Sequence, residues 1–135
     1  MSLEEIKVGI TGKRETEVTV EKTASHIGSG GLRVYATPEM INLMEETSWS
    51  SVEPYLEEGM GTVGTAVNIK HLAASPVGAH IVCESKLIEV DRRRLLFDVK
   101  VYDERGLVGD GQHERFIIDN EKFMGKLKKQ LGIEE

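Results

Sequence analysis

The sequence contains a single cysteine, Cys83, among its 135 residues. One cysteine excludes an internal disulfide framework, which is the usual support of small secreted domains. The first residues, MSLEEIKVGI, carry two glutamates where a signal peptide would have a basic segment followed by an apolar one. No apolar run approaches the roughly 18 residues that a membrane span needs. The sequence therefore predicts a cytoplasmic protein that does not insert into membranes.

Positive charge is also scarce, since 17 Lys and Arg stand against 23 Asp and Glu, for a net charge of −6. This balance argues against a surface that binds nucleic acid. The four histidines do not occur at zinc-site spacing, and one cysteine supplies no zinc set, so we expect no metal. The glycine-rich segment 27–31, IGSGG, lacks the context of a dinucleotide-binding loop, and no G-x-S-x-G nucleophile elbow is present. No cofactor is expected.

The length favours one domain, over residues 1–135, with its core at about 15–125. An alternating segment at 14–24 predicts a strand, and the glycine-rich segment after it predicts a loop. A helix of about five turns is then expected to begin with Thr37 as its N-cap and to end at Gly59. Pro38 suits the first turn of that helix.

The second half of the chain has the residue pattern of β-strands. Four are predicted, at 61–73, 79–90, 94–102 and 107–118. A short C-terminal helix over 120–131, capped by Asn120 and ended by Gly132, follows them. This order predicts an α+β fold in which one long helix lies across an antiparallel sheet of about five strands.

Two adjacent glutamates in the predicted long helix are expected to differ. At about 100° per residue, one face collects most of the apolar and small side chains: Met40, Leu43, Met44, Thr47, Ser48, Ser51, Val52 and Tyr55. Glu46 falls on the opposite, solvated face. Glu45 falls at the margin of the apolar face, next to Ile41 and Trp49, so its carboxylate is predicted to point toward the core boundary.

The predicted strand at 61–73 also has a titratable side chain on its apolar face. Its two-residue period places Val63, Thr65, Val67, Ile69 and His71 on one face, and Gly64, Asn68 and Lys70 on the other. His71 is therefore predicted to point into the same layer as Glu45. Either residue alone has an ordinary structural explanation, as a satisfied core histidine or a glutamate that reaches water. Together, a carboxylate and an imidazole in one layer need each other or a ligand.

Thr37 is a third candidate, because its hydroxyl lies at a helix start, where free N–H groups favour negative charge; its alternative explanation is simple capping. The three residues stand in recognisable segments, YATPEMINLMEE, GMGTVGTAVNIKHLAASPVG and GDGQHERFIID. The sequence thus resembles the hotdog-fold thioesterases of the fluoroacetyl-CoA thioesterase-like family over roughly residues 15–125.

The resemblance implies roles for five residues. Thr37, Glu45 and His71 match the family's catalytic set, and Gly64 and Arg115 match its supporting groups near the thioester. It also implies hydrolysis of an acyl-CoA thioester, with coenzyme A entering as part of the substrate. Glu45 would act as general base or nucleophile, His71 would shuttle the proton, and Thr37 would orient the reactants or hold the oxyanion. The alternative is a non-catalytic hotdog module that binds acyl-CoA or another small ligand.

Two further expectations concern assembly and specificity. The family dimerises, and an apolar strand face formed by Leu95, Phe97, Val99 and Val101 is predicted to need more cover than one helix gives. A homodimer is therefore expected, which could pair into a tetramer. Fluoroacetyl-specific members have an aromatic lid before the threonine, whereas this chain has glycine and serine at 28–31 and its first Phe at position 97. We therefore expect ordinary short or medium acyl groups as substrates.

Overall fold

The computed structural model describes residues 5–134. Five strands and three helices follow one another along the chain: β1 (Thr11–Glu17), α1 (Ala24–Ile27), α2 (Thr37–Val52), β2 (Met60–His71), β3 (His80–Asp91), β4 (Arg94–Asp103), β5 (Gly106–Asp119) and α3 (Asn120–Leu131). Short 3₁₀ turns occupy Val20–Lys22 and Glu53–Tyr55. The α+β prediction is confirmed, and all four predicted downstream strands are present.

The N-terminal strand is shorter than predicted. β1 ends at Glu17, and the second half of the predicted strand 14–24 forms the turn Val20–Lys22 and the start of α1. Thr23 stabilises this change of direction, because its hydroxyl donates to the carbonyl of Val20. Threonine and serine hydroxyls commonly compete with strand pairing in this way.

Both ends of α2 differ from the prediction. Thr37 is the first helical residue rather than the N-cap, and the extended residue before it is Ala36. The helix ends at Val52, not at Gly59, because Pro54 cannot donate the next backbone hydrogen bond. Gly59, with φ of +84°, instead makes the turn into β2.

The C-terminal helix α3 has the predicted end but a different cap. Asp119, not Asn120, is the N-cap, and its carboxylate accepts from the backbone N–H of Lys122. Gly132 ends the helix in a left-handed conformation, with φ of +69°. Within residues 5–134, no helix is long and apolar enough to cross a membrane.

The sheet is antiparallel throughout, in the order β1-β3-β4-β5-β2. Helix α2 packs across one face and buries most of the predicted stripe, although Ser51 is only half-buried and Tyr55 is exposed. The β4 face formed by Leu95, Phe97, Val99 and Val101 is fully buried within one chain. The expectation that this face needs a second copy is therefore wrong.

Strand β2 lies at an edge of the sheet and contains a β-bulge. Gly64 pairs with Arg115 and Ala66 pairs with Glu114, so Thr65 is left without a partner residue. One extra residue reverses the alternation of side chains from that point. The bulge therefore places Gly64 on the helix side of the sheet and Thr65 on the outer side, the opposite of the prediction.

Candidate active site

Thr37 and His71 form a direct contact between the start of α2 and the end of β2. The Thr37 hydroxyl lies 2.8 Å from Nδ1 of His71. The ring of Tyr35 meets His71 edge to face, with centroids 6.3 Å apart. A cavity of about 310 Å³ opens beside the pair and is lined by Ser29, Tyr35, Thr37, His71, Leu72 and Ala73, among others. Thr37 and His71 therefore contact each other directly, whereas the sequence pattern predicts that His71 shares a layer with Glu45.

The environment of the second ring nitrogen of His71 differs from that of the first. Nε2 is shielded from solvent and has no hydrogen-bond partner of ordinary geometry within residues 5–134. Burial lowers the pKa of His71 below its ordinary value of 6.5, and the backbone of Ala73 opposes that change. Buried polar atoms are nearly always satisfied, so an unpartnered one makes His71 a candidate functional residue. The neutral ring can accept a proton at neutral pH.

Glu45 lies at a different point along α2. Its Oε2 is 3.7 Å from Nη1 of Arg115 and 4.0 Å from Nε2 of His113. The Arg115 side chain is 9% exposed and that of Glu45 is 38% exposed. The carboxylate therefore faces a buried guanidinium on one side and open space on the other. This agrees with the predicted position of Glu45 at the boundary of the core.

Arg115 is held in place by three contacts to β2 and β5. Its Nε donates to the Thr62 hydroxyl at 2.8 Å, and its Nη2 donates to the Thr62 carbonyl at 3.0 Å. Nη1 lies 3.1 Å from Nε2 of His113. Burial lowers the pKa of Arg115, and the nearby Glu45 carboxylate opposes that change. A guanidinium stays protonated in such surroundings, so it supplies a fixed positive charge beside Glu45.

Gly64 supplies the space in front of this cluster. A Cβ at position 64 would lie 3.1 Å from Oε2 of Glu45 and 3.2 Å from Nη1 of Arg115. Any larger residue would crowd both groups. The predicted supporting residues Gly64 and Arg115 thus lie next to Glu45, on the helix side of the sheet.

The predicted site residues fall into two groups within one chain. Thr37 and Glu45 are eight residues apart on one helix, which separates their backbones by about 12 Å. Across residues 5–134, no hydrogen bond or ion pair joins Glu45 to Thr37 or His71. No three His, Cys, Asp or Glu side chains in this part of the chain could hold a metal ion.

His113 also borders this site, although its sequence position did not indicate a role. Its ring is 1% exposed and stacks on Phe97, with centroids 6.5 Å apart. Alternation along β5 could have located it, because Arg115, two residues further on, lies on the same buried face.

Known proteins resemble this chain both in sequence and in fold. A family model described as fluoroacetyl-CoA-specific thioesterase matches residues 18–121. The chain is 39% identical over 97 residues to a fluoroacetyl-CoA thioesterase from Streptantibioticus cattleyicolor, an alignment that covers 72% of this chain and 70% of the relative.

Solved structures extend this likeness. A threonine-to-serine variant of a fluoroacetyl-CoA thioesterase, solved in complex with acetyl-CoA, is 33% identical, with a TM-score of 0.87 over 93% of this chain and 98% of that one. A thioesterase superfamily member from Thermus thermophilus is 29% identical, with a TM-score of 0.88 over 96% of each chain.

A five-stranded antiparallel sheet folded against one long helix, together with these relatives, defines a hotdog-fold thioester hydrolase. The chain belongs to the fluoroacetyl-CoA-specific thioesterase family. The sequence-based assignments of family and fold are thereby confirmed.

Proposed function

We propose that this enzyme hydrolyses short acyl-CoA thioesters to the free acid and coenzyme A. The observation that carries this proposal is the placement of Glu45, whose partly exposed carboxylate lies 3.7 Å from a buried guanidinium and faces the space that Gly64 leaves open. A base or nucleophile beside a fixed cation is what thioester cleavage needs. Relatives solved with acetyl-CoA, and with fluoroacetate and CoA, support acyl-CoA as the substrate class.

Glu45 has two possible modes of action. As general base it removes a proton from water, whose oxygen attacks the thioester carbonyl and displaces the CoA thiolate. As nucleophile it attacks the carbonyl itself, and water then hydrolyses the resulting anhydride. In both modes the thiolate leaves and takes up a proton. Arg115, with the Gly64 backbone amide, stabilises the charge that develops on the carbonyl oxygen.

Thr37 and His71 transfer a proton to the leaving CoA thiolate in this proposal. In this proposal Nδ1–H of His71 donates to the Thr37 hydroxyl, so that Nε2 carries the lone pair that accepts a proton and passes it to the leaving thiolate. The lowered pKa keeps His71 neutral and ready for this step near pH 7. Thr37 fixes the orientation of the ring, as the orienting member of a catalytic pair does.

Glu45 and the Thr37–His71 pair come together if the protein is a dimer. We propose that this dimer forms along β2. Among residues 5–134 this strand pairs with β5 alone, and Val67 on its helix-facing side is 40% exposed. Free strand edges readily pair with another copy. A two-fold axis between Val67 and Asn68 brings His71 of one copy level with Gly64 of the other. Glu45 of one copy would then share a site with Thr37 and His71 of the second.

The segment that precedes Thr37 determines the acyl group in this proposal. A Cβ placed on Gly28 or Gly31 would meet no atom within 4 Å, and Gly28 has a φ of +86°. Residues 28–31 thus supply no aromatic side chain against a fluorinated two-carbon group, and the Tyr35 ring that lines the cavity packs on His71. We therefore expect acetyl-CoA and slightly longer acyl-CoAs to be hydrolysed without strong preference for fluorine.

A panel of acyl-CoAs, followed with a free-thiol reagent, tests this function. Thiol release from acetyl-, propionyl- or butyryl-CoA is expected, with kcat/KM for fluoroacetyl-CoA within about 10-fold of acetyl-CoA. A preference for fluoroacetyl-CoA of about 10³-fold, or roughly 4 kcal/mol, would overturn the specificity proposal. Binding of these thioesters without any thiol release would favour a non-catalytic binding module instead.

A further inference from the structure

His113 is a buried histidine whose protonation state is fixed by its neighbours. Arg115 lies 3.1 Å away at Nη1 and can only donate, so Nε2 of His113 must be the acceptor. The proton of the neutral ring is then on Nδ1, which donates to the carbonyl of Ala66 at 2.9 Å. Burial and the Arg115 charge both lower the pKa of His113, which agrees with a neutral ring.

The His113 ring connects Arg115, which faces Glu45, to the β-bulge at Gly64. Through Nε2 it contacts the same Arg115 nitrogen that faces Glu45. Through Nδ1 it holds Ala66, the residue at which β2 resumes pairing after the bulge that begins at Gly64. A Cβ on Gly64 would lie 3.3 Å from Cε1 of the ring. His113 thus borders the open space in front of Glu45.

We propose that His113 is a positioning residue for thioester hydrolysis, which aims the Arg115 guanidinium at Glu45 and fixes the bulge that carries Gly64. This role rests on the proposed function of Glu45 and Arg115 in thioester hydrolysis. His113 transfers no proton in this scheme, because both of its nitrogens are committed to protein partners. The 4.0 Å approach of Nε2 to Glu45 is not an ion pair, since the ring is neutral.

Two substitutions separate positioning from simple packing. His113→Phe keeps a ring against Phe97 but removes both hydrogen bonds. His113→Gln can place an amide oxygen near the former Nε2 and so still accept from Arg115. We expect His113→Phe to lower kcat by about 10-fold or more with KM changed less than about 3-fold, and His113→Gln to stay within about 3-fold of the parent.

Phe97→Leu is the control for stability. It shortens the side chain that stacks on His113 without changing a hydrogen bond, so it should lower Tm while kcat stays within about 2-fold of the parent. Parental kcat in a folded His113→Phe protein would overturn the proposal. So would a His113→Gln protein as inactive as His113→Phe at the same Tm.

A measurement without substrate tests the same contacts. ¹⁵N NMR of the histidine rings should show His113 protonated on Nδ1 and unprotonated on Nε2 at pH 7. A proton on Nε2 would overturn the positioning contact even if acyl-CoAs are hydrolysed. Absence of thiol release by the parent enzyme, with the Nδ1–H form present, would instead refute the proposed reaction.

Discussion

Glu45 and Glu46 are adjacent, and each has a side chain that is 38% exposed. They differ in what they face. Glu46 contacts the exposed Arg14 at 3.3 Å and accepts from Asn42 at 2.9 Å, whereas Glu45 faces the buried Arg115. The helical period, and not solvent exposure, therefore distinguishes the two carboxylates.

This pair gives a matched mutational test. Glu45→Gln keeps the shape of the side chain but removes its charge and basicity, so kcat should fall by about 10²-fold or more. Glu46→Gln changes an exposed ion pair and should leave kcat within about 2-fold. Steady-state thiol release measures both. Equal activities in the two variants, with a substrate that the parent hydrolyses, would defeat the assignment of Glu45.

The acid side of the pH profile should report His71. Because burial lowers its pKa below 6.5, the neutral form that accepts a proton persists at pH 6.5, and activity is lost only as pH falls through a lower value. We expect kcat/KM to show an acidic limb with a midpoint below 6.5. The midpoint should move in the residual activity of His71→Ala, and a midpoint above 7 in the parent would contradict the proton-accepting role.

At the scale of elements, periodicity predicts α2 well and β2 only in part. The buried face of α2 follows from a regular period of 3.6 residues, which the sequence displays directly. In β2 the alternation is correct for Val67, Ile69 and His71 but fails before the bulge. A bulge depends on pairing with β5, so alternation alone puts Gly64 on the wrong side, although the family resemblance links this residue to the site.

The loop after His71 is tied to the β4–β5 hairpin by a buried carboxylate. Asp103, with a side chain that is 2% exposed, accepts from the buried Ser75 hydroxyl at 2.7 Å and from the Arg105 backbone N–H at 2.8 Å. Arg105 also donates to the carbonyl of Ala74. Ala74 lines the cavity beside Thr37. Asp103 therefore stabilises one wall of the proposed site.

Asp103→Asn should destabilise the fold by roughly 1–2 kcal/mol, because it weakens the bonds to Arg105 and Ser75. Hydrogen bonding to Arg105 is the main cause that lowers the Asp103 pKa from 3.8 to about 2. This stabilisation is therefore present above pH 3.8 and is lost as pH falls through about 2. Chemical denaturation at pH 7 measures the difference in unfolding free energy.

Asp98→Asn is a suitable control, since Asp98 is 38% exposed and pairs with Lys100 at 3.4 Å. Its effect should stay within about 0.5 kcal/mol. If the two variants were equally stable, the buried carboxylate would contribute no more than an ordinary surface ion pair.

At the scale of the whole molecule, the two groups of site residues lie on one side of the sheet but at different points along α2. A single thioester carbonyl cannot contact Glu45 and the Thr37–His71 pair across about 12 Å of helix. The open edge of β2 lies beside both groups. The proposed pairing of two copies along this edge would unite them without a change in the fold of either chain.

The proposed dimer predicts complementation between inactive variants. The chain has a mass of 15.0 kDa, so light scattering should return about twice that value. When equal amounts of Glu45→Gln and His71→Ala proteins are unfolded and refolded together, about half of the dimers are mixed, and each mixed dimer has one intact site. Activity should recover to about one quarter of the parent. No recovery from a confirmed mixed dimer would place all three residues in a single chain, and a particle of about 15 kDa would remove the shared site altogether.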